Sequence, residues 1–169
     1  HDEFCKRLPE ELLWAENPDT GKKVRINASE YRTEWVQVGR HIPPEPEVIE
    51  SFLERFEQVY DPGKLNKIDQ VIAVSASHHR LLWIHPFLDG NGRVARLFSY
   101  AFLRHLGVGS SLWSIARGLA RQEEEYKSRL IGADQPRQGD LDGRGNLSAK
   151  GLDHFCAFFL KTCLDQVNY

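Results

Sequence analysis

Apolar side chains recur every three to four residues through most of the chain after residue 45, which is the spacing of one face of an α-helix. Turns rich in Pro, Gly and Asn divide this pattern into separate helices. The predicted helices cover residues 45–60, 65–84, 91–106, 114–131 and a last stretch that begins at Ser148. Segment 65–84 is apolar on most of its faces, so we expect it to be a central and largely buried helix.

The only good strand signal is short. Residues 35–39 alternate between apolar and polar side chains, residues 40–42 continue the run, and Pro43-Pro44 ends it. We expect a small β-hairpin, or flap, at this place. Upstream, residues 1–30 are polar and mixed, with a weak helix over 9–15 and turn chemistry over 17–21. The pattern as a whole predicts an all-α domain with a short β-hairpin flap.

The composition narrows the function classes. The 169 residues suit one domain, and a net charge of −2 gives no basic footprint, so nucleic acid is not the expected partner. No apolar run is long enough to span a bilayer, and no signal-peptide pattern opens the chain. The 3 cysteines are an odd number without a C-x-x-C pair, which disfavours a disulfide framework or structural zinc and favours a cytoplasmic location. Because the sequence contains no Met, we expect a fragment of a longer protein.

One polar segment between two apolar helices carries the candidate chemistry. It reads His85-Pro-Phe-Leu-Asp-Gly-Asn-Gly-Arg-Val-Ala-Arg96. Pro86 disfavours the α conformation at His85, so the central helix must end there and display the imidazole at its tip. Gly90 and Gly92 allow a tight backbone whose amides converge on the start of the next helix. Converging amides at a helix N-terminus form an anion site suited to phosphate.

Basic side chains near the start of that helix support the anion site. Arg93, Arg96, Tyr100 and Arg104 fall on one helix face. Cations in a first turn oppose the helix dipole at a cost of about 0.3–1 kcal/mol each, which is reasonable if a multiply charged anion binds in front of them. The carboxylate of the neighbouring loop suits Mg²⁺, and the histidine is the one base of the cluster with a near-neutral pKa.

Several residues also have plainer interpretations. Any single member of segment 85–96 could be a solvated loop residue, but the combination at a Pro-His break and a Gly-rich turn disfavours that interpretation. The segment lacks the G-x-x-x-x-G-K-[ST] pattern of a P-loop. Residues 140–151 imitate a calcium loop but have Gly151 in place of the required Glu, so a polar loop capped by Ser148 is expected. His78 and His79 are expected to be hydrogen-bonded core or boundary residues.

Segment 85–96 resembles the signature of Fic-domain proteins, H-P-F-x-[DE]-G-N-G-R-x-x-R, and every fixed position is matched. Residues 38–44 are similar to the flap of that family, and residues 124–134 are similar to its adenine-packing segment. The resemblance covers about residues 31 to 165. It implies a Fic-type helical domain over 31–169 preceded by an N-terminal extension over 1–30.

The resemblance also implies a reaction, the transfer of AMP from ATP to a Ser, Thr or Tyr hydroxyl of a protein. By this resemblance His85 is the general base and Asp89 binds Mg²⁺. The amides of Gly90, Asn91 and Gly92 would form the anion hole.

The family pattern further implies that Arg93 and Arg96 clamp the outer phosphates and that pyrophosphate leaves. Phe87 is expected to anchor the loop in the core. Positioning and charge neutralisation, which these residue types supply, are what nucleotide-phosphate transfer needs.

Two weaker groups of nucleotide contacts are carried over from the family. The flap residues over the nucleotide would be Val38, Gly39, Arg40 and His41. Those near adenine would be Tyr126, Lys127 and Asp134, although this chain has lysine for a second tyrosine and aspartate for an asparagine. Tyr126 is equally well explained as half-buried packing.

Alternatives to AMP transfer remain open at the level of the sequence. Some Fic relatives transfer other nucleotidyl or phosphoryl groups or remove AMP, and a non-enzymatic phosphate-binding regulatory module is a third reading. The free edge of residues 35–42 is expected to hold the target protein by β-augmentation. The chain lacks the inhibitory pattern [ST]-x-x-x-[ED]-[GN] of many relatives, so inhibition is expected from a missing segment or a separate partner, if it exists.

Overall fold

The computed structural model describes residues 1–16, 21, 23–28, 30–109 and 113–167, and most of these are helical. The helices in this part of the chain are α1 (Asp2–Cys5), α2 (Ile49–Tyr60), α3 (Lys67–Ile84), α4 (Asn91–His105), α5 (Ile115–Arg121), α6 (Glu123–Ala133) and α7 (Ala149–Val167). Two antiparallel strands, β1 (Trp14–Glu16) and β2 (Lys23–Arg25), form a small hairpin. The predicted all-α class with a short β-hairpin is confirmed.

The hairpin lies upstream of the place where the sequence pattern predicted it. Trp14 pairs with Arg25, whereas residues 35–42 form only one isolated bridge, between Val38 and His41. The weak helix predicted over 9–15 is a single 3-10 turn followed by β1. Strands of 3 residues are too short to show alternation, which is why the sequence pattern missed them. Of the predicted turn over 17–21, residues 17–20 lie outside the described residues.

The central helix α3 has well-defined ends. At its start, the side chain of Asn66 accepts hydrogen bonds from the amides of Ile68 and Asp69, at 2.9 and 3.0 Å. At its other end the helix ends at Ile84, and His85 before Pro86 is its C-cap, as the sequence predicts. Both ends of α3 are therefore fixed by local sequence, and the catalytic candidate follows directly from the second one.

The helix predicted over 114–131 is interrupted. Gln122 adopts φ −121° and ψ 38°, which ends α5 and begins α6. Three successive glutamates then occupy the first turn of α6, where negative charge interacts favourably with the helix dipole. Those glutamates are the signal that would have located the break, since neither Pro nor Gly marks it.

The core lies on both sides of α3. One buried cluster joins α3, α4, α5, α6 and α7 around Phe155 and Phe159, and a second joins α2, α3 and α4 around Ile49 and Phe56. α7 approaches the end of α6 so closely that a Cβ at Gly151 would overlap the carbonyl oxygen of Gly132. All 3 cysteines are buried free thiols. Among the described residues, no helix combines the length and apolar character needed to cross a membrane.

The loop before α7 is a polar cap. The carboxylate of Asp142 accepts hydrogen bonds from the amide of Lys150 at 2.8 Å and from the hydroxyl of Ser148 at 3.1 Å. The amide of Gly151 donates to the Ser148 hydroxyl at 2.9 Å. The predicted Ser148 cap is confirmed, and the Asp142 carboxylate is committed to the N-terminus of α7.

Candidate functional site

His85 stands at the break between α3 and the signature loop in a left-handed conformation, with φ 50° and ψ 58°. Its amide still donates to the carbonyl of Leu81 at 3.1 Å, so it closes the last turn of α3. Its own carbonyl accepts a 2.8 Å hydrogen bond from Nε of Arg32. Pro86 keeps the residue out of the α region, and these two bonds hold it in a conformation that residues with a Cβ rarely adopt.

The imidazole of His85 is held neutral with one nitrogen free to accept a proton. Burial, with smaller contributions from the nearby His41 and Arg32, lowers the pKa of His85 to about 4. The carbonyl of Leu82 faces the ring and favours a proton on the nitrogen nearest to it. The other nitrogen of a neutral imidazole is an acceptor, so this side chain can act as a base at neutral pH.

The segment 90–92 after His85, called the cradle below, forms the start of α4. Gly90 has φ 85° and its carbonyl accepts from the amides of Arg93 and Val94, each at 3.0 Å, so it begins α4. The amides of the first helical turn have no intrahelical acceptors, and here they belong to the segment 90–92. Such amides can bind an anion at a helix N-terminus, and anion binding by this segment stays a prediction.

Asn91 has a second role that the sequence interpretation missed. Its side chain is 2% exposed, accepts from the amide of Phe87 at 3.0 Å and donates to the carbonyl of the same residue at 2.7 Å. These two hydrogen bonds between Phe87 and Asn91 fix the loop that leads into α4. An asparagine flanked by two glycines could have indicated such a loop-closing side chain.

Asp89 and Arg93 form an ion pair, with Arg93 Nη2 2.7 Å from Asp89 Oδ2. The predicted magnesium ligand and one predicted phosphate clamp are thus neighbours that neutralise each other. Asp89 supplies one half-exposed carboxylate next to the cradle, and this fits Mg²⁺, which usually binds one or two carboxylates together with substrate phosphates. Among the described residues, no group of three or more His, Cys, Asp or Glu could hold a metal without a substrate.

The N-terminal residues cover one side of the signature loop. The His1 ring stacks on Phe87 with centroids 3.9 Å apart and donates to the carbonyl of Asp89 at 3.1 Å. The Phe4 ring lies 4.2 Å beneath the Arg93 guanidinium. Phe87 also faces Tyr31 across 6.0 Å and belongs to neither core cluster, so the expectation that it anchors the loop in the core is wrong. It anchors the loop to the segments before α2 instead.

Arg96 reaches back towards the cradle from the second turn of α4. A Cβ built on Gly92 would lie 3.3 Å from Nη1 of Arg96, so the guanidinium lies directly over that backbone. The same guanidinium contacts the hydroxyl of Tyr126 on α6. Arg93, Arg96 and Tyr100 also line a cavity of about 410 Å³ beside α5. The sequence prediction that one face of α4 carries these cations agrees with this geometry.

The predicted flap residues differ in orientation, since some are exposed to solvent and one points inward. Val38 and His41 exchange backbone hydrogen bonds, both 3.0 Å, around Gly39 with φ 62°, and Val38, Gly39 and Arg40 are exposed at the tip. His41 instead turns inward, where its Nε2 donates to the carbonyl of Trp83 at 2.8 Å. The flap is therefore a tight turn with an inward anchor, not an extended strand.

Of the three predicted adenine-side residues, two make partly buried hydrogen bonds. The carboxylate of Asp134 accepts from His79 Nε2 at 3.0 Å and lies 3.6 Å from His41 Nδ1, so it links the flap to α3. The hydroxyl of Tyr126 lies 2.8 Å from His78 Nε2. Lys127 pairs with Glu123 at 2.6 Å on the exposed side of α6. Nucleotide contact by these residues stays a prediction.

The structure adds Arg32, which the sequence interpretation did not single out. This side chain is 4% exposed and donates to the carbonyls of His85, Glu34 and Pro44, at 2.8, 3.2 and 2.5 Å. It joins the start of the flap to the end of α3. A lone arginine in a polar segment carries no pattern that would reveal this role.

The family model described as the Fic/DOC family matches residues 7–103, which is more than half of the chain. The match contains the whole signature loop, α3 and most of α4. This chain belongs to the Fic/DOC family. The resemblance seen in segment 85–96 is thereby confirmed.

Named relatives of this Fic-family chain match a shorter part of it. Protein adenylyltransferase Fic of Drosophila mojavensis is 38% identical over 82 residues, which are 48% of this chain and 16% of that protein. The protein of the same name from Drosophila grimshawi is 37% identical over 82 residues, again 48% of this chain and 17% of the relative. The chain thus spans about a sixth of the length of these relatives.

Solved structures show the same fold. A Fic family protein of Desulfovibrio desulfuricans superposes with a TM-score of 0.64 at 20% identity, covering 84% of this chain and 40% of the other. A Fic domain containing signaling protein of Bacteroides thetaiotaomicron gives a TM-score of 0.54 at 23% identity, covering 82% and 49%. The helical arrangement around α3 is therefore that of a Fic domain.

Proposed function

We propose that this Fic domain transfers the AMP part of ATP to a hydroxyl group of a protein target. The observation that carries the proposal is the neutral His85, which is fixed at the end of α3 with one nitrogen bare, just before the anion cradle. A site that only bound phosphate would bind it more tightly with a protonated, positively charged imidazole. Here burial lowers the pKa of His85 instead. The arrangement therefore supports base catalysis more than simple binding.

The proposed step uses four groups of this chain. The target hydroxyl oxygen attacks the α-phosphorus while the bond from that phosphorus to the bridging oxygen breaks and pyrophosphate leaves. The bare nitrogen of His85 takes the hydroxyl proton. The amides of residues 90–92 stabilise the charge on the α-phosphate, and Arg93 and Arg96 bind the outer phosphates. When bound, Mg²⁺ would neutralise phosphate charge, and Asp89 would hold it.

The named relatives support a transferase but leave the transferred group to be tested. Both matched Drosophila proteins carry the name protein adenylyltransferase Fic. Because the match spans about a sixth of their length, their activity comes to this chain only as part of the proposal.

The flap is the proposed docking edge for the target. Its apolar side chains Trp35, Val38 and Ile42 are 62%, 45% and 60% exposed, and an exposed apolar patch is a typical protein-contact surface. An extended target segment would pair with the backbone of residues 35–37, which precede the tight turn, while its side chains contact these residues. The bound hydroxyl would then lie beside His85.

Mass spectrometry with two labelled forms of ATP tests the transferred group. The chain is incubated with Mg²⁺, lysate proteins and ATP labelled on either the α- or the γ-phosphate. We expect target proteins that gain the mass of AMP and carry the α label only. His85→Ala, run in parallel, should give no labelled target.

Other outcomes separate the alternatives. Transfer of the γ label with a phosphate mass gain would show phosphoryl transfer by the same scaffold. Tight ATP binding without any labelled product, in the presence of a target that a relative modifies, would support the regulatory module and contradict the proposal.

A further inference from the structure

A chain of side chains leads from the buried centre of α3 towards the second signature arginine, and it is hydrogen-bonded as far as Tyr126. His78 is fully buried, with Nδ1 2.8 Å from Ser99 Oγ and Nε2 2.8 Å from the hydroxyl of Tyr126. The Tyr126 hydroxyl in turn contacts the guanidinium of Arg96. The chain therefore joins α3, α4 and α6 behind the anion cradle.

The proton positions in this chain follow from the groups at its inner end. Ser99 Oγ donates its only proton to the carbonyl of Ala95 at 2.9 Å, and that carbonyl, which also faces the imidazole of His78, can only accept. Nδ1 of His78 must therefore carry a proton. Burial, together with the charge of Arg96, lowers the pKa of His78 to about 3, so the ring is neutral and its Nε2 is a bare acceptor.

The outer end of the chain is satisfied by the same direction. Since Nε2 of His78 accepts, the hydroxyl of Tyr126 donates its proton inward and keeps its lone pairs for Arg96. A guanidinium has donors and no acceptor, so it can only donate to that oxygen. In the opposite arrangement the Tyr126 proton would face a cation without any acceptor.

We infer that Tyr126 is a positioning residue for Arg96, and that His78 fixes the Tyr126 hydroxyl so that its lone pairs face the guanidinium. This inference rests on the proposed function, because it concerns how Arg96 meets the outer phosphates of ATP. Anchored at Tyr126, the guanidinium stays over Gly92 and does not sample the cavity of about 410 Å³ that it borders. Less side-chain freedom is then lost when phosphate binds.

Tyr126→Phe tests the inference because it removes one oxygen and keeps the ring. Immobilising a long side chain on binding is unfavourable, so the variant should bind ATP with Mg²⁺ about twofold to tenfold more weakly. Its affinity for AMP, which lacks the outer phosphates, should be unchanged. Inorganic tripolyphosphate, which has no adenine, should show the same loss as ATP in calorimetry.

Tyr60→Phe is the matched control. The hydroxyl of Tyr60 is also largely buried and also contacts an arginine, Arg80, which is not part of the signature. A general effect of losing a buried hydroxyl would lower thermal stability in both variants. Only Tyr126→Phe should distinguish ATP from AMP.

The double variant Tyr126→Phe with Arg96→Ala shows whether Tyr126 acts through Arg96. If it does, the double variant binds ATP as weakly as Arg96→Ala alone, since there is no guanidinium left to position. Losses that simply add would overturn the inference. Equal losses for ATP and AMP in Tyr126→Phe would also overturn it, and would place Tyr126 against adenine.

Two further results separate this inference from the proposed function. A wild-type protein that binds ATP and tripolyphosphate but transfers no AMP would refute the proposed function and leave the inference to be judged by the binding data. A wild-type protein that binds neither ligand would overturn both. In ¹⁵N spectra His78 should show a protonated Nδ1 from pH 5 to 8, and a protonated Nε2 would contradict the assigned direction.

Discussion

The backbone of His85 is the most constrained position in the site. It is the only described non-glycine residue with positive φ, a conformation that costs a residue with a Cβ about 1–2 kcal/mol. The strain is maintained because Arg32 binds the His85 carbonyl and Leu81 accepts from its amide. The fixed backbone at His85 thereby sets the direction of the imidazole without the movement of a loop.

The first residue-scale prediction is that His85→Ala loses transfer and keeps nucleotide binding. A general base contributes about 10²–10⁴-fold to the rate and does not contact the nucleotide in the proposed step. Transfer to a target and ATP affinity should be measured on the same preparation. His85→Gly should lose transfer equally but unfold at a higher temperature than His85→Ala, because glycine relieves the positive φ. Undiminished transfer by His85→Ala would exclude it as the base.

The second residue-scale prediction concerns pH. Because the pKa of His85 is lowered to about 4, the base is already deprotonated at neutral pH in the free protein. kcat/KM reports groups of the free enzyme, so it should stay flat from pH 8 down to about pH 5.5. A fall to about half at pH 6.5 and to about a tenth at pH 5.5, as for an ordinary histidine, would show that burial does not lower the pKa of His85.

The third residue-scale prediction concerns Arg96→Ala. Losing a charge-assisted hydrogen bond to phosphate costs about 1.5–3 kcal/mol, so ATP affinity should fall about tenfold to a hundredfold. AMP affinity should hardly change, since it lacks the outer phosphates. Isothermal calorimetry with both nucleotides makes the comparison, and equal losses would move Arg96 away from the outer phosphates.

At the scale of elements, the flap can be tested with one proline. Gln37→Pro removes a backbone donor beside the bridge that Val38 forms with His41, so target labelling should fall while ATP affinity is largely kept. Gln37→Ala is the control, because it loses only the 2.8 Å side-chain bond to the Gly39 carbonyl and keeps the amide. If labelling by Gln37→Pro equals that of Gln37→Ala, the target docks elsewhere.

Elements with long periodic patterns could be predicted from sequence, and short ones could not. α3 and α7 are 18 and 19 residues long, and the predicted start of each lies within two residues of the observed one. The strand expected over 35–39 failed because alternation over a few residues forms a ladder only when a partner strand lies beside it. The cradle could be located from the sequence because its residues are contiguous. The contact of Arg32 with His85 joins residues 53 apart and leaves no trace in any local pattern.

At the scale of the whole molecule, two histidines with lowered pKa predict sensitivity to acid. The pKa of His78 falls to about 3 and that of His85 to about 4, chiefly through burial, while both are near 6.5 in the unfolded chain. The unfolded state therefore binds more protons below pH 6.5, and stability is complete above that value and is lost as the pH falls. Each histidine contributes a slope of about 1.4 kcal/mol per pH unit. Urea unfolding between pH 7.5 and 4.5 should show this decline, and constant stability would mean that the histidines are solvated.

Arg32 fixes the start of the flap, here called the root, while the tip at Gly39 and Arg40 is exposed. The two parts should therefore open on very different timescales. The Arg32 amide donates to the Pro86 carbonyl at 2.9 Å, and its guanidinium binds three further carbonyls, although the residue lies outside any helix or strand. Its amide hydrogen should exchange with deuterium only when the whole domain opens, as slowly as amides in the middle of α3. The exposed Gly39 and Arg40 amides should exchange orders of magnitude faster. Exchange at Arg32 as rapid as at Arg40 would mean that the root opens with the tip.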